Sequence, residues 1–257
     1  MAISGAKAHE RIAIITGASS GIGEATARKL VAAGNAVIGN ARNQHKLHAL
    51  EQELGAAFRG VAGDAADTGV IERLFAAAQE SFGRAPDIVV VNAGRGLGGS
   101  VTGADLTRFD EILRLNVAGA LALLQQAALR MVQEQKNGYP GRAADIVVIG
   151  SVVGRHVSPF SAVYGATKFA VHGLAEGLRR EVGPKGVRVT LVEPGVVVSG
   201  FQDAAGYDDA QVQRFNDNFG PLIRGEDIAN AIHFVVSQPP HVHISDIMVR
   251  PTRQDYP

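Results

Sequence analysis

The stretch Thr16-Gly17-Ala18-Ser19-Ser20-Gly21-Ile22-Gly23 limits the fold more than any other part of this sequence. It stands between an apolar run, Ile12-Ala13-Ile14-Ile15, and a helical pattern that begins at Gly21. Strand, glycine-rich turn and helix in that order make a place for phosphate. Backbone N–H groups at the start of the helix face the anion, and the helix dipole adds favourable potential. Gly17, Gly21 and Gly23 permit positive φ and remove the Cβ atoms that would hold a phosphate away. Ser19 and Ser20 add hydroxyl donors, and Ile22 completes the turn. No Lys follows these glycines, so the P-loop pattern is not met. The spacing Gly-x3-Gly-x-Gly also differs from the common dinucleotide fingerprint Gly-x-Gly-x-x-Gly.

The turn opens a regular alternation. Short runs rich in Val and Ile, mostly without polar alternation, fall at Arg11–Thr16, Ala36–Asn40, Ala57–Ala62, Asp87–Asn92, Ala144–Gly150, Val187–Glu193 and Ile244–Val249. Such runs are strands buried on both faces of a parallel sheet. Between them the spacing predicts helices over Gly21–Ala33, Asn43–Leu54, Thr68–Phe82, Asp105–Gln135, Ser161–Gly183 and Glu226–Ser237. Gly34 and Gly55 stand where helix C-terminal caps are expected. The expectation is a single α/β domain, a doubly wound parallel sheet with helices on both faces. Residues 1–10 are read as a loose arm. Gly195–Pro221 is read as an irregular loop over the carboxyl ends of the strands, where ligands are covered.

Further motifs follow in order. Asn92-Ala93-Gly94 comes after the fourth strand, and Asn116 lies in the next helix. Ser151 closes the fifth strand. Tyr164-Gly-Ala-Thr-Lys168 begins thirteen residues after that serine, and Pro194-Gly195 follows the sixth strand, with Ser199 beyond it. Together with the Thr-Gly-x3-Gly-x-Gly turn, these motifs resemble the short-chain dehydrogenase/reductase family over about residues 11 to 250. Val91 and Ser199 depart mildly from that pattern, standing where many members have Asn and Thr. The resemblance implies a Rossmann-type fold, a nicotinamide coenzyme and a catalytic set of Asn116, Ser151, Tyr164 and Lys168.

The residues give a chemical reason for that set. Tyr164 and Lys168 are four apart on a helix and share a face. A free phenol, with pKa ~10, exchanges protons poorly near neutrality, and a neighbouring ammonium favours its ionised form. Tyr164 is therefore expected to exchange a proton with a carbonyl or hydroxyl oxygen held by Ser151. Lys168 would act on the tyrosine and bind the nicotinamide ribose, while Asn116 would anchor a water in a proton relay with Lys168. The hydride must come from the coenzyme, because no side chain supplies one.

The end of the second strand bears on which coenzyme. NAD calls for a carboxylate there, on the ribose 2′-hydroxyl. Asn40-Ala41-Arg42-Asn43 has none and offers Arg42, whose guanidinium suits a 2′-phosphate, with Asn40 and Asn43 as added hydrogen-bonding groups. The expected coenzyme is NADP. Asp64 and Ala65 would flank the adenine. Asn92, Ala93, Gly94, Pro194, Gly195, Val197 and Ser199 complete the coenzyme site implied by the resemblance.

Candidate pocket residues are Arg95, Val153, Gly154, His156, Val196, Phe201 and Tyr207; His156 reads equally as a surface loop residue. His241-Val-His243 reads as a turn before the last strand, not a zinc site, since no carboxylates accompany it, and no metal is expected. With 25 Lys+Arg against 25 Asp+Glu the formal net charge is zero, so nucleic acid and anionic membranes are not expected partners. Cysteine is absent, which removes thiol chemistry. No signal-peptide core or uncharged apolar run of spanning length is read, and a cytoplasmic protein is expected. The tail Asp246-Ile-Met-Val-Arg250-Pro-Thr-Arg253-Gln resembles a branch of the family with NADP-dependent 3-hydroxy acid dehydrogenases and clavulanate-type reductases, which implies NADP and a homotetramer. The expected reaction interconverts a small ketone or aldehyde and an alcohol. Oxidation of a β-hydroxy acid or hydroxy amino acid is the alternative, and a non-catalytic nucleotide sensor is the rival from another class.

Overall fold

A computed structural model describes residues 10–199 and 209–256. Seven parallel strands form one sheet: β1 (Ile12–Thr16), β2 (Ala36–Ala41), β3 (Phe58–Ala62), β4 (Ile88–Val91), β5 (Ala144–Ile149), β6 (Val187–Pro194) and β9 (Asp246–Val249). Their order is β3-β2-β1-β4-β5-β6-β9. The chain therefore starts at the centre, winds outward on one side through β3, and returns to wind outward on the other. The strands lie within a residue or two of the expected runs, and Gly34 and Gly55 take the positive φ expected of them, 90° and 65°.

Period-two geometry explains why the strands read as continuous apolar runs. Ile12 and Ile14 join one core with α3 (Thr68–Phe82), α5 (Ala120–Gln135) and α6 (Ala162–Val182). Ala13 and Ile15 join a second core, on the opposite face, with α1 (Gly21–Ala32), α2 (Gln44–Leu54) and α8 (Gly225–Val236). The five inner strands are buried on both faces, so their runs mostly do not alternate between apolar and polar residues.

Two expected elements differ. The single helix over Asp105–Gln135 runs without a gap from Leu106 but changes type along its length: a 3-10 turn (Leu106–Arg108), α4 (Phe109–Leu113), a π-helical stretch (Arg114–Gly119) and then α5. The whole segment Leu106–Gln135 is long and apolar enough to cross a bilayer by composition. Here it places Leu123, Leu124, Ala127, Ala128 and Met131 in the sheet core instead. The stretch Gly195–Pro221 is also not all irregular. It holds β7 (Val197–Val198), which pairs in parallel with β8 (Ile223–Arg224), and α7 (Asp209–Phe219). Helical spacing in a polar stretch with few apolar positions left α7 unrecognised in the sequence. His243 follows α8, and its ring Nε2 lies 2.9 Å from the carbonyl oxygen of Val189 and 3.2 Å from its nitrogen, so it serves the β6 backbone.

Charge is buried at the amino end of the sheet. Arg188, at the start of β6, is paired with Asp145 at 2.7 and 2.8 Å and also donates to the carbonyls of Val236, Gln238, Pro239 and Val242. Arg11 reaches Asp145 and Asp87 from β1's side. Removing one partner of such a buried pair leaves an uncompensated charge, at a cost of about 3–5 kcal/mol. Arg188→Ala is expected to lower Tm by roughly 10 °C or more while leaving coenzyme affinity unchanged in the folded protein, because the opposite end of the sheet carries the cavity. A thermal melt with an unchanged Tm would contradict this.

Candidate active site

The carboxyl ends of β1, β4, β5 and β6 open into a cavity of about 810 Å³. The glycine turn forms one end of it. Thr16 and Asn92 tie that turn to β4: Asn92 Nδ2 donates to the Thr16 carbonyl at 2.8 Å, and Thr16 Oγ1 accepts the N–H groups of Asn92 and Ala93 at 3.1 and 3.0 Å. Gly17 and Gly21 hold φ of 70° and 53°. Ser20, the N-cap of α1, has extended backbone and no side-chain cap, which leaves first-turn N–H groups of the helix available to an anion. Gly23 has a different task. A Cβ there would lie 2.2 Å from the Gly17 carbonyl oxygen and 2.6 Å from Asn92 Nδ2, so this glycine allows the helix to close on the turn. These features fit the pyrophosphate of a dinucleotide.

All the residues expected at the coenzyme line the cavity except Gly23 and Asn43. Asn43 is the N-cap of α2: its side-chain oxygen accepts the Lys46 N–H at 3.0 Å, which fixes the carboxamide at the start of that helix. Asn40 lines the cavity, but its Nδ2 is used by the carbonyls of Val61 and Gly63, while its buried Oδ1 has no partner among the described residues. Arg42 is exposed on the cavity rim, 3.7 Å from Glu111. Glu111 also pairs with Arg95 at 2.8 Å. Asp64 pairs with Arg114, which holds its carboxyl below the usual range.

Ser151, Tyr164 and Lys168 line the other end. Lys168 is buried without a carboxylate partner among the described residues. Its Nζ donates to the Ile149 carbonyl at 2.8 Å and sits 5.8 Å from the Tyr164 ring centroid. Desolvation pushes its pKa down to about 8, because burial disfavours the charged form. Ser151 is set by the chain around it: its N–H donates to His172 Nε2 at 3.3 Å. Asn116 does not line the cavity. Its Nδ2 donates to the Arg95 carbonyl and to Thr167 Oγ1, and its Oδ1 accepts the Arg95 N–H. Its side chain fastens the Arg95 loop to α6 from within the π-helical stretch, a local irregularity common at functional sites.

Among the pocket candidates, Arg95, Val153 and Val196 line the cavity and Gly154 and His156 do not. His156 is exposed. Gly154 backs onto His172, whose Nε2 would lie 2.4 Å from a Cβ there. Phe201 and Tyr207 lie outside the described residues. The structure adds Phe160, Arg214, Phe215, Phe219, Gln254 and Tyr256 as lining residues. The four-residue spacing of Phe215 and Phe219 was the available signal for α7's inner face; Gln254 and Tyr256 arrive only through tertiary folding. Arg214 supplies the cation near Gly195–Pro221 that the sequence did not reveal.

His172 generates a pH prediction. Burial, then Lys168 and Arg155, hold its pKa at about 4. Glu193, 4.0 Å from its Nδ1, is already paired with Arg155 at 2.8 Å. An unfolded chain takes up this proton near pH 6.5 and the folded one only near 4, so stability falls as pH drops through that window, by up to about 3 kcal/mol. His172→Gln, which keeps an acceptor for Ser151, is expected to lose correspondingly less between pH 7 and 4.5. Urea unfolding at both pH values checks this, and parallel losses in the two proteins would contradict it.

This chain is similar to known oxidoreductases in sequence and fold. Residues 11–209 match the short chain dehydrogenase family. An uncharacterized oxidoreductase of Staphylococcus epidermidis is 32% identical over 246 residues, covering 96% of this chain and 99% of the relative. Among solved structures, the closed form of a serine dehydrogenase complexed with NADP+ matches with a TM-score of 0.86 at 29% identity, covering 95% of this chain and 96% of that one. A 3-ketoacyl-(acyl-carrier-protein) reductase from Brucella melitensis complexed with NADH matches with a TM-score of 0.84 at 26% identity, covering 96% and 99%. With the family matched across most of its length, on a sheet of the required order, this chain belongs to the short-chain dehydrogenase/reductase family of oxidoreductases.

Proposed function

We propose that the protein interconverts a ketone or aldehyde and an alcohol with NADP(H), using Tyr164 as the general acid and base. The observation that carries this reading is one cavity joining the uncapped start of α1 to Ser151, Tyr164 and Lys168. The bound coenzyme supplies the hydride. In reduction, the Tyr164 hydroxyl gives a proton to the carbonyl oxygen while the Ser151 hydroxyl holds that oxygen by a hydrogen bond; in oxidation the proton moves the other way. Lys168, an ammonium beside the Tyr164 ring, favours the ionised phenol and so eases both directions.

Arg42 and the absence of a carboxylate after β2 support NADP over NAD, in line with the coenzyme of the serine dehydrogenase structure. Glu111 shares Arg42 in the structure described here, and a 2′-phosphate would compete for that guanidinium. The second reading, dehydrogenation of a β-hydroxy acid or hydroxy amino acid, gains from Arg214, a cavity-lining cation with no ion pair among the described residues. Assembly as a homotetramer belongs to the same reading; Leu121 and Leu129 on α5 and Phe169 on α6 leave apolar surface exposed that suits pairing between helices.

The test follows nicotinamide absorbance with NADPH and NADH over a panel of ketones, aldehydes and keto acids. Tyr164→Phe is expected to lower kcat by about 10²–10⁴-fold and leave NADPH affinity and Tm near the wild-type values. Retained turnover would overturn the role of Tyr164. Arg42→Ala is expected to weaken NADPH binding by roughly 10- to 100-fold with little change for NADH. An equal effect on both coenzymes would remove the phosphate role. Coenzyme binding without turnover anywhere on the panel would favour a nucleotide sensor.

A further inference from the structure

After β9 the chain turns back across the end of the cavity, and three groups within four residues there bind three different walls. Gln254 Oε1 accepts the Val196 N–H at 3.0 Å, at the carboxyl end of β6. Arg253 donates to the carbonyls of Gly220 at 3.0 Å and Asp217 at 3.3 Å, at the carboxyl end of α7. The Tyr256 hydroxyl donates to the Val157 carbonyl on the wall after β5. Gln254 and Tyr256 both line the cavity.

The seat of this tail is built into the sheet end. Gly195 has no Cβ, and one added there would lie 2.2 Å from Gln254 Oε1 and 2.7 Å from Arg250 Cβ. The glycine after Pro194 is therefore needed as much by the tail as by any ligand. Gln254 is buried, and its Nε2 has no hydrogen-bond partner among the described residues, so a buried donor stands ready beside the cavity. The Arg253 contact is well matched electrically: the last carbonyls of a helix carry partial negative charge and take hydrogen bonds from a guanidinium. Through that contact the tail reaches the helix whose Phe215 and Phe219 line the cavity, stacked with ring centroids 6.3 Å apart.

We propose that Arg253 and Gln254 are positioning residues of the substrate site, through which the C-terminal tail clasps α7 to the end of β6 and sets where Phe215 and Phe219 stand over the substrate. This rests on the reading of the cavity's second end as the substrate site. The clasp joins elements distant in sequence, so a change in the tail is felt at α7 without disturbing the sheet.

The test is hydrogen–deuterium exchange on the full-length protein, with and without NADPH, for wild type, Arg253→Ala, Arg253→Lys and Gln254→Ala. Exchange across 209–220 is expected to quicken by about tenfold in the two alanine variants while β4 and β5 keep their protection. Arg253→Lys, which keeps a cation at the helix end, is expected to recover most of the protection. With ethyl acetoacetate as the carbonyl probe, KM is expected to rise about fivefold or more in the alanine variants, with kcat and NADPH affinity near wild type. Unchanged exchange across 209–220 in both alanine variants would overturn the clasp, as would an equal rise throughout the sheet. The exchange result stands whether or not the probe is turned over, so a failure of the carbonyl reading is distinguishable from a failure of the clasp.

Discussion

The hydrogen bonds between Thr16 and Asn92 are the point from which the site is organised. They join the carboxyl ends of β1 and β4, the two strands between which the winding reverses. Crossovers on the β1 side and the β4 side leave toward opposite faces, and a crevice opens between them. The glycine turn hangs from one side of this junction. From the other hang Ala93, Gly94 and Arg95, which Asn116 in turn fastens to Thr167 on α6, close in sequence to Tyr164 and Lys168. A short chain of side-chain hydrogen bonds thus runs from the glycine-turn end of the cavity to the end that holds Tyr164 and Lys168.

The two ends of the sheet handle charge in opposite ways. At the amino end Arg11, Arg188, Asp87 and Asp145 neutralise one another and take up backbone carbonyls. That arrangement holds strand starts together and offers nothing to a ligand. At the carboxyl end Lys168 is buried with, among the described residues, only the Ile149 carbonyl as acceptor, and burial lowers the pKa of His172 behind Ser151 to about 4. A buried cation without a counterion costs stability. Its presence beside Tyr164 marks the end of the sheet where chemistry, not cohesion, governs the choice of residue.

Legibility in the sequence followed the range of the interactions involved. The strands, α1, α3 and the glycine turn were readable because each follows from local period and local backbone need. Ser151, Tyr164 and Lys168 were readable because their motifs keep fixed spacing on those elements. The capping role of Asn43 was not read, because an Asn ahead of a helical pattern serves as a cap or as a polar ligand, and the Lys46 N–H that it accepts is in place only once α2 has formed. Asn116 was placed on the right segment, yet its carboxamide partners, Arg95 and Thr167, are 21 and 51 residues away. The π-helical stretch within the 106–135 helix accompanies those contacts, and no local propensity announces it.

By itself the sequence determined the doubly wound sheet, the glycine turn and the positions of Ser151, Tyr164 and Lys168 on their elements, because these depend on apolar periodicity, on glycine's missing Cβ and on short fixed spacings. Tertiary structure alone decided what surrounds the reacting atoms. It brought Glu111 between Arg42 and Arg95, put His172 behind Ser151, and carried Gln254 and Tyr256 from the chain's end to the cavity wall. The physical reason is distance along the chain: burial, ion pairing and desolvation at this site arise between residues that become neighbours only once the sheet has closed its order.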